Sequence, residues 1–321
     1  MRVTYQLSWF KMKKVLVYMD EHYIGRADDS SDYIVRNMLK DSRFDVAVST
    51  EPDVNLAKDY EVVMCRFDIP LKEEFLESLA KYDDGSRLFI NPPLSKLDYS
   101  DKRYLSLFQE SDILPETYIG NDNRELALFI KSVRDSGRDL VSKPIDGNGG
   151  KGIYKLVREG EDSSEREILS IGRKSFGELE ILANGLTGED NRDIVLQEYV
   201  PGIERHGDTR VNVLFYNPVN ALLRLPAEGG YKCNISSGGR VVATELVDRD
   251  YQILDEIMPF IKDRGAVWAG VDIFGSDSGR YLGEINFPSP GALYETDCVH
   301  GSTEGLDSIL EGINDWSPDG N

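Results

Sequence analysis

The residues whose types and spacing could carry out chemistry begin with a glycine-rich stretch near the middle of the chain. The sequence KPIDGNGGKGIYKL starts at Lys143 and contains four glycines, with lysines among them and on both sides. Glycine has no Cβ, so the backbone amides of such a loop can approach an anion closely. The stretch therefore indicates a phosphate-binding loop, with an ordinary glycine-rich hairpin as the alternative.

The residues that follow the loop distinguish between phosphate-binding devices. Gly147, Gly149 and Gly152 match the spacing GxGxxG, but a dinucleotide-binding fingerprint is followed directly by a helix. Here GIYKLV follows, and its alternating β-branched and aromatic residues predict a strand. A Walker A loop requires Ser or Thr after its lysine, whereas Lys151 precedes Gly152. We therefore expect a strand–loop–strand flap laid over phosphate groups.

Three oxygen-bearing side chains lie in a predicted hairpin farther along the chain. WAGVDIF and YLGEINF flank GSDSGR, a sequence typical of a hairpin turn. Asp272 and Glu284 are equally distant from Ser278, so they should lie nearly opposite each other, and Asn286 shares a strand face with Glu284. Such hard oxygen ligands suit Mg²⁺, and unpaired carboxylates inside apolar strands are costly. The alternative is a solvated hairpin face.

Two arginines are expected to point toward the same place. The sequence DTRVNVLFY places Arg210 and Asn212 on one face of a predicted strand, while the intervening apolar residues face the core. Arg224 follows in the next predicted strand, LLRLPA. Guanidinium groups suit a developing phosphate charge, although arginines on a half-exposed sheet are the alternative.

The elements that must position these residues follow from hydrophobic periodicity. Strands alternating with helices from about Lys13 to Leu114 predict a parallel α/β lobe. A helix is then predicted from Asp122 or Asn123 to about Ser136, and the strand RDLVSKPI precedes the glycine loop. The C-terminal half is rich in predicted strands and contains one predicted helix, DRDYQILDEIMPFIKDRG. The final residues, DWSPDGN, are expected to fray.

The composition limits the classes of protein that the chain can represent. Its 321 residues, 40% hydrophobic and 29% charged, suit two or three globular lobes. A formal net charge of −20 argues against nucleic acids and anionic membranes as partners. No apolar run predicts a transmembrane helix, and lysines interrupt the N-terminal apolar run, so no secretory signal is expected. Three widely spaced cysteines without zinc-ligand spacing favour the cytoplasm.

Seven motifs in order resemble those of the prokaryotic-type glutathione synthetases, members of the ATP-grasp superfamily. They are KPIDGNGGKGIY, LQEYVPG, GDTRV, LRLP, NISSGGR, GVDIFG and LGEINFPSPG. The resemblance implies an α/β ATP-grasp fold with an N-terminal parallel α/β (pre-ATP-grasp) lobe, a small central lid subdomain and a C-terminal α+β antiparallel-sheet lobe. The expected segments are an extension (1–12), a substrate domain (13–116), the lid (117–200), a catalytic subdomain (201–310) and a tail (311–321).

The resemblance also implies roles for individual residues. The implied ATP-binding residues are Lys102, Lys143, Gly149, Gly150, Gln197, Glu198, Tyr199, Val200 and Asp208. The implied metal ligands are Asp272, Glu284 and Asn286. The implied catalytic residues, around the acyl-phosphate centre, are Arg210, Arg224, Asn234 and Gly239. The residues expected on the substrate side are Arg66, Lys232, Ser289 and Pro290.

The implied activity is ATP-dependent ligation of a carboxylate to an amine, with ADP and phosphate as products. The expected cofactor is Mg²⁺, or alternatively Mn²⁺, and the expected substrates are ATP, γ-glutamylcysteine and glycine, bound by a homo-oligomer of four chains. Two alternatives stay open: another ATP-grasp amino-acid or peptide ligase, such as one that modifies protein tails, and a non-catalytic ATP-binding regulatory protein. The second alternative predicts damaged metal ligands or arginines, and these residues are all present.

The chain departs from the family pattern at three places. The family usually has Arg-Gly-Asn where this chain has Lys232, Cys233 and Asn234. It commonly has a lysine where this chain has Pro92, and the sequence after Leu293 matches poorly. Because a lysine cannot make the forked contact of a guanidinium, these departures leave the substrates open.

Overall fold

The structure is a computed structural model in which part of the chain is described. The described residues are 12–67, 73–99, 101–146, 150–160, 162–164, 167–234 and 237–318. Gly149, residues 1–11 of the predicted extension and residues 319–321 of the predicted tail lie outside them. None of the helices formed by the described residues combines the length and the hydropathy needed to cross a membrane.

The N-terminal part of the chain forms a four-stranded parallel sheet in the order β2-β1-β3-β4. Alternate residues of β1 pack into different cores, Val15 and Val17 on one face and Leu16 and Tyr18 on the other. The strands are β1 (Lys13–Met19), β2 (Phe44–Ser49), β3 (Val62–Arg66) and β4 (Leu88–Ile90). The helices are α1 (Ser30–Met38), α2 (Glu73–Leu79) and α3 (Pro93–Asp98), with 3₁₀ helices at Glu21–Tyr23, Val54–Asp59, Ala80–Tyr82 and Lys102–Phe108. The predicted parallel α/β lobe is confirmed.

The central part forms a five-stranded sheet in the order β5-β9-β6-β7-β8, which we call the lid sheet. Its strands are β5 (Thr117–Gly120), β6 (Leu140–Pro144), β7 (Tyr154–Val157), β8 (Ile168–Ser170) and β9 (Ile194–Glu198), with helices α4 (Asn123–Asp135) and α5 (Phe176–Thr187). The glycine loop joins β6 to β7, and these strands pair antiparallel. The strand–loop–strand prediction is therefore confirmed. Helix α4 begins as predicted because the Asp122 carboxylate accepts hydrogen bonds from two first-turn amides at 2.9 Å.

The C-terminal part forms a five-stranded antiparallel sheet in the order β12-β11-β10-β13-β14. Its strands are β10 (Asp208–Leu214), β11 (Asn217–Leu225), β12 (Arg240–Ala243), β13 (Trp268–Gly275) and β14 (Arg280–Asn286). The helices are α6 (Ile203–His206), α7 (Asp248–Asp263), α8 (Leu293–His300) and α9 (Glu304–Asp315). Val211 and Val271 pack with α7 in the core on one face, so the neighbouring residues of β10 and β13 carry their polar side chains on the other.

Two of the hydrophobic cores join segments that are far apart in the sequence. One core joins Tyr104 and Phe108 to α7, β10, β13 and β14, and a second joins the parallel sheet to α9 and Trp268. Asn91, after β4, adds a polar link: its Nδ2 donates to the carbonyls of Trp268 (2.6 Å) and Phe287 (2.9 Å). The lid sheet, by contrast, packs with α4 and α5 in a core of its own. The boundaries at residues 116, 200 and 310 stay predictions.

Two expectations about the second half of the chain are wrong. Of the residues expected to fray, Asp315 is the last residue of α9 and Trp316 packs on the second core, and the preceding turn of α9 buries Ile313. The Lys13 ammonium also donates to the Trp316 carbonyl at 2.7 Å. From residue 193 onward, periodicity moreover found one helix and missed α6, α8 and α9. Helix α6 is only one turn long, α8 lacks a clear apolar stripe, and α9 carries internal glycines.

The packing of α9 can be tested through Ile313, which is fully buried. We expect Ile313→Ala to lower the free energy of unfolding by about 2–5 kcal/mol, because the substitution leaves a cavity at the second core. Ile181→Ala is the matched control, because this side chain of α5 is 74% exposed. Urea unfolding followed by circular dichroism measures both changes, and equal stability of the two variants would contradict the packing described for α9.

Candidate active site

Four buried charged residues form the centre of the polar face of the C-terminal sheet. The strand register places Arg210 opposite Asp272, and Asp208 opposite Arg224. The Arg210 guanidinium contacts both carboxylate oxygens of Asp272, with 3.1 Å between Nη2 and Oδ2. Arg224 Nη2 lies 2.8 Å from Asp272 Oδ2 and also pairs with Asp208. Asp272 is therefore held between the two arginines that the sequence predicted to point toward one site.

The cluster pairs two carboxyl groups with two guanidinium groups, but its hydrogen bonds are incomplete. Burial raises the pKa of the Asp272 carboxyl, but Arg210 and Arg224 outweigh it and hold that pKa below its ordinary value. Burial raises the pKa of Asp208, and the nearby arginines only partly offset this effect. Asp208 Oδ1 and Arg224 Nε are buried and make no hydrogen bond in the described structure. Buried polar groups nearly always have hydrogen-bond partners. The unpaired acceptor and the unpaired donor therefore indicate that a polar ligand binds at this place.

The predicted metal ligands lie on neighbouring strands. Asp272 is paired with Glu284 across the hairpin, as the sequence predicted, and Asn286 lies two residues farther along β14. Glu284 Oε1 is 3.3 Å from Lys102 Nζ, and its side chain is 29% exposed. No cluster of three Asp, Glu, His or Cys side chains able to hold a metal occurs among the described residues. The donor set of two carboxylates and one amide nevertheless fits a hard cation that also binds phosphate oxygens.

Two lysines from different parts of the chain approach this centre. Lys143, on β6, is buried, donates to Gln197 Oε1 at 2.7 Å, and places its ammonium 4.9 Å from the centre of the Phe274 ring. Lys102 lies on the 3₁₀ helix before the lid and donates its backbone amide to the Ile145 carbonyl at 2.9 Å. Burial lowers the pKa of Lys143 to about 8; Glu284 opposes this shift and Lys102 adds to it. The two cations therefore lie near each other and near Glu284.

Two adjoining cavities lie between the lid sheet and the polar face. The first has a largely apolar lining: Val141, Lys143, Ile153, Gln197, Glu198, Tyr199, Val200, Ile203, Asp208, Tyr231, Lys232, Cys233, Asn234 and Phe274. The second is lined mainly by charged and polar groups: Lys102, Lys143, Pro144, Gly150, Lys151, Ile153, Asp208, Asn234, Asp272, Phe274, Gly283 and Glu284. Because Lys143, Asp208 and Asn234 line both cavities, the pair has an apolar end for a flat ring and a charged end for phosphates.

The segment predicted to meet adenine forms one wall of the first cavity. Its backbone amides are partly used within the protein, since Glu198 N donates to the Glu116 carbonyl (2.8 Å) and Tyr199 N to the Asp139 carbonyl (2.9 Å). The Glu198 carboxylate pairs with Arg138 at 2.7 Å. A base bound here would therefore have to use other backbone groups of this segment.

Two of the predicted glycines, Gly150 and Gly239, lie next to Asn234, which lines both cavities. Gly150 has a φ of 76°, and a Cβ there would lie 2.9 Å from Asn234 Oδ1. Gly239 N donates to the Asn234 carbonyl at 3.2 Å, and a Cβ at Gly239 would lie 2.5 Å from the Cys233 carbonyl oxygen. Gly150 therefore lets the glycine loop approach Asn234, whereas Gly239 is needed for the turn that holds Asn234.

Only one of the residues predicted on the substrate side lines either of the two cavities. Arg66 is buried, donates from Nε to Ser31 Oγ at 2.9 Å, and stacks 4.6 Å from the Trp268 ring centre. Ser289 and Pro290 lie in the turn between β14 and α8, and neither they nor Arg66 line either cavity. Lys232 lines the first cavity, but its ammonium donates to the Gly150 carbonyl at 2.8 Å.

Several residues that line the cavities were missed by the sequence analysis. Phe274 could have been found, because it lies two residues from Asp272 in the same strand and hence on the same face. Ile203 begins the one-turn helix α6, and Tyr231 and Cys233 lie in a loop. No spacing signal marks these three residues, because their placement depends on how the segments pack together.

The chain matches the family model described as prokaryotic glutathione synthetase, ATP-grasp domain, over residues 101–301. It is 32% identical over 249 residues to the glutathione synthetase of Escherichia coli (strain K12), covering 76% of this chain and 70% of that one. It is 29% identical over 259 residues to the glutathione synthetase of Agrobacterium fabrum, covering 80% and 73%. The chain belongs to the prokaryotic glutathione synthetase family. It is therefore an ATP-dependent, ADP-forming carbon–nitrogen ligase that requires a divalent metal and acts on amino-acid or peptide substrates.

Solved structures agree with the fold of this family. A D-cycloserine synthetase aligns with a TM-score of 0.66 at 15% identity, covering 94% of this chain and 99% of that one. A D-alanine–D-alanine ligase from Bacillus anthracis aligns with a TM-score of 0.60 at 14% identity, covering 94% and 97%. The predicted ATP-grasp fold, with its parallel N-terminal sheet, lid sheet and antiparallel C-terminal sheet, is confirmed.

If Lys143 contacts the phosphates of ATP, as the sequence predicted, its lowered pKa makes ATP binding depend on pH. As the pH rises through about 8, the free enzyme loses the Lys143 proton, and a neutral amine no longer attracts phosphate. The phosphates of ATP are already fully ionised there, so the dissociation constant should rise by up to about tenfold per pH unit above this value. Titration calorimetry with an ATP analogue measures this change.

Lys143→Met provides the control for this titration, because it keeps the length of the side chain without its charge. The variant should bind ATP more weakly and lose the pH dependence. A wild-type profile in Lys143→Met would place the titrating group elsewhere.

Proposed function

We propose that this ligase joins γ-glutamylcysteine to glycine at the expense of ATP, which is the glutathione synthetase reaction. Its membership of the prokaryotic glutathione synthetase family supports γ-glutamylcysteine and glycine as the substrates. The arrangement of charged side chains supports phosphoryl transfer from ATP. The observation that carries the proposal is the buried Arg210–Asp272–Arg224 cluster beside Glu284 and Lys102. Such a cluster places fixed positive groups where a phosphoryl group in transfer gathers negative charge.

The proposed reaction has two steps. In the first step, the cysteinyl carboxylate of γ-glutamylcysteine attacks the γ-phosphorus of ATP, and ADP leaves with the electrons of the broken P–O bond. In the second step, the glycine amine attacks the carbonyl carbon of the acyl phosphate, loses a proton, and expels inorganic phosphate. Arg210 and Arg224 would stabilise the charge on the transferred phosphoryl group in both steps.

The two cavities divide the binding of ATP in this proposal. The adenine would enter the apolar cavity beside Tyr199 and Val200, and the phosphates would extend into the charged cavity toward Lys102 and Lys143. Asp208 lies where the cavities join, and its unpaired Oδ1 could accept a hydrogen bond from a ribose hydroxyl. The glycine loop, including Gly149 and Gly150, would cover the phosphates.

The proposed metal is Mg²⁺, with Mn²⁺ as the alternative, held by Asp272, Glu284 and Asn286. When bound, it would neutralise phosphate charge and orient the phosphoryl group. Lys102 Nζ lies 3.3 Å from Glu284 Oε1. With the metal bound, Lys102 and the metal would both lie beside the Glu284 carboxylate, and Lys102 would contact phosphate oxygens. Arg66, Ser289 and Pro290 stay proposed substrate contacts, and the protein is proposed to be a cytoplasmic homotetramer.

A second candidate is a different amino-acid or peptide ligase with the same phosphoryl-transfer chemistry. The observation that favours it is Lys232–Cys233, which replaces the Arg-Gly of the family at the wall of the first cavity. A non-catalytic regulatory protein is disfavoured, because the proposed metal ligands and both arginines are present and clustered.

The test of the proposed function is ADP release in the presence of ATP, Mg²⁺ and γ-glutamylcysteine, with and without glycine. We expect release that requires both substrates, together with equimolar peptide product detected by mass spectrometry. Release with another pair of amino acids, and none with this pair, would support the second candidate instead.

The proposed role of Glu284 predicts a loss of turnover without a loss of fold. We expect Glu284→Gln to lower kcat by at least about 100-fold, because the phosphoryl transfer loses a charged metal ligand. Glu311→Gln, on the exposed side of α9, is the control and should retain wild-type kcat. Steady-state kinetics at saturating metal measures kcat, and thermal unfolding verifies that the variant is folded. Normal activity of Glu284→Gln would contradict the assignment of Glu284 as a metal ligand.

A further inference from the structure

The contacts of Lys232 differ from those expected of a residue that binds substrate. Its ammonium donates to the Gly150 carbonyl at 2.8 Å and pairs with the Glu167 carboxylate. Both partners belong to the lid part of the chain, on either side of β7. Two of the three N–H donors of the ammonium are therefore engaged within the protein, and its charge is already paired with a carboxylate.

Tyr231 makes a second contact to the same part of the lid. Its hydroxyl donates to the Ile153 carbonyl at 3.0 Å, just after the glycine loop. The Glu167 carbonyl in turn accepts from Lys155 N at 2.9 Å, so Glu167 is fixed against β7. The consecutive side chains of Tyr231 and Lys232 therefore connect the segment before Asn234 to Ile153 and Gly150.

The burial of the pair gives the contact more weight than an ordinary surface ion pair. The Lys232 side chain is 16% exposed and that of Glu167 is 34% exposed. Exposed pairs contribute little, whereas partly shielded pairs that also donate to a backbone carbonyl are less screened by solvent. The compact ammonium can serve the carboxylate and the carbonyl together, which a planar guanidinium would do with a different geometry.

We propose that Lys232 is a positioning residue that fastens the Tyr231–Asn234 segment to the glycine loop through Glu167 and the Gly150 carbonyl. We call this contact the Lys232–Glu167 clasp. It holds Asn234 against Gly150 at the charged cavity, where an acyl phosphate would need protection from water. The proposal rests on the proposed ligase function, and it removes Lys232 from the residues that recognise the substrate.

The clasp makes a specific prediction about coupling between ATP use and ligation. If the clasp opens, water reaches the acyl phosphate, so ADP is formed without peptide product. Lys232→Met and Glu167→Gln should each raise the ratio of ADP to peptide by about threefold to tenfold, as expected for a partly buried pair. The double variant should be no worse than the more affected single variant, and the KM values of the substrates should change little.

The control pair is Lys131 and Asp135 on α4, which lie 2.6 Å apart and are both 47% exposed. Lys131→Met should keep the wild-type ratio of ADP to peptide. The exchanged pair, Lys232→Glu with Glu167→Lys, should recover part of the coupling. If Lys232→Met raises the KM of a carboxylate substrate while Glu167→Gln behaves as wild type, Lys232 recognises the substrate and the proposal is overturned.

A measurement without acceptor substrates separates this proposal from the choice of substrates. Hydrogen–deuterium exchange is followed in peptides that contain Gly150–Lys155 and Tyr231–Asn234, with and without Mg²⁺ and a non-hydrolysable ATP analogue. We expect the analogue to protect both peptides in the wild type and less so in both single variants. Equal protection in all variants would overturn the clasp, whichever amino acids the enzyme joins.

Discussion

The position of Asp272 between two arginines is the constraint on which the site depends. A carboxylate buried without a counter-charge would be protonated, and two buried guanidinium groups without an anion would repel each other. The antiparallel register of β10, β11 and β13 resolves both problems, because it sets Arg210 opposite Asp272 and brings Arg224 within 2.8 Å of the same carboxylate. Fixed charges can then face a phosphate without reorganising, which is how preorganised sites stabilise phosphoryl transfer.

This arrangement requires a sheet with two unlike faces and a rigid support. The apolar face of β10 and β13 packs on α7, and the same core receives Tyr104, whose hydroxyl donates to the Ile285 carbonyl at 2.9 Å. Asn91 links the parallel sheet to Trp268, at the start of β13, and to Phe287, just after β14, so its contacts lie at the open end of the hairpin. The N-terminal and C-terminal sheets therefore support one another, and the charged cluster lies on the polar face of the C-terminal sheet.

Sequence reasoning predicted the parts of this molecule whose signals are local. The hairpin that pairs Asp272 with Glu284, the strand after the glycine loop and the start of α4 follow from period, turn residues and a capping aspartate. The burial of α9 and the lining of the first cavity could not be predicted, because both depend on contacts between distant segments. Lys232 illustrates the difference between a local signal and a contact between distant segments. Its residue type and motif suggested a substrate contact, but its ammonium contacts Gly150 and Glu167.

The separate core of the lid sheet has a consequence for how this protein could be recombined with its relatives. Leu126, Ile130, Leu140, Leu156 and Leu196 pack with α4 and α5 and share no core with the other two sheets. A chimera that exchanges the lid sheet and its two helices would keep this core intact and, among the described residues, would cut only the smaller contacts of Val141 with Phe274 and of Ile119 with the core of α7, whereas exchange of the N-terminal sheet would divide the second core. In such a chimera, Glu167 would come from one parent and Lys232 from the other. The two residues would therefore have to be chosen together to keep their ion pair.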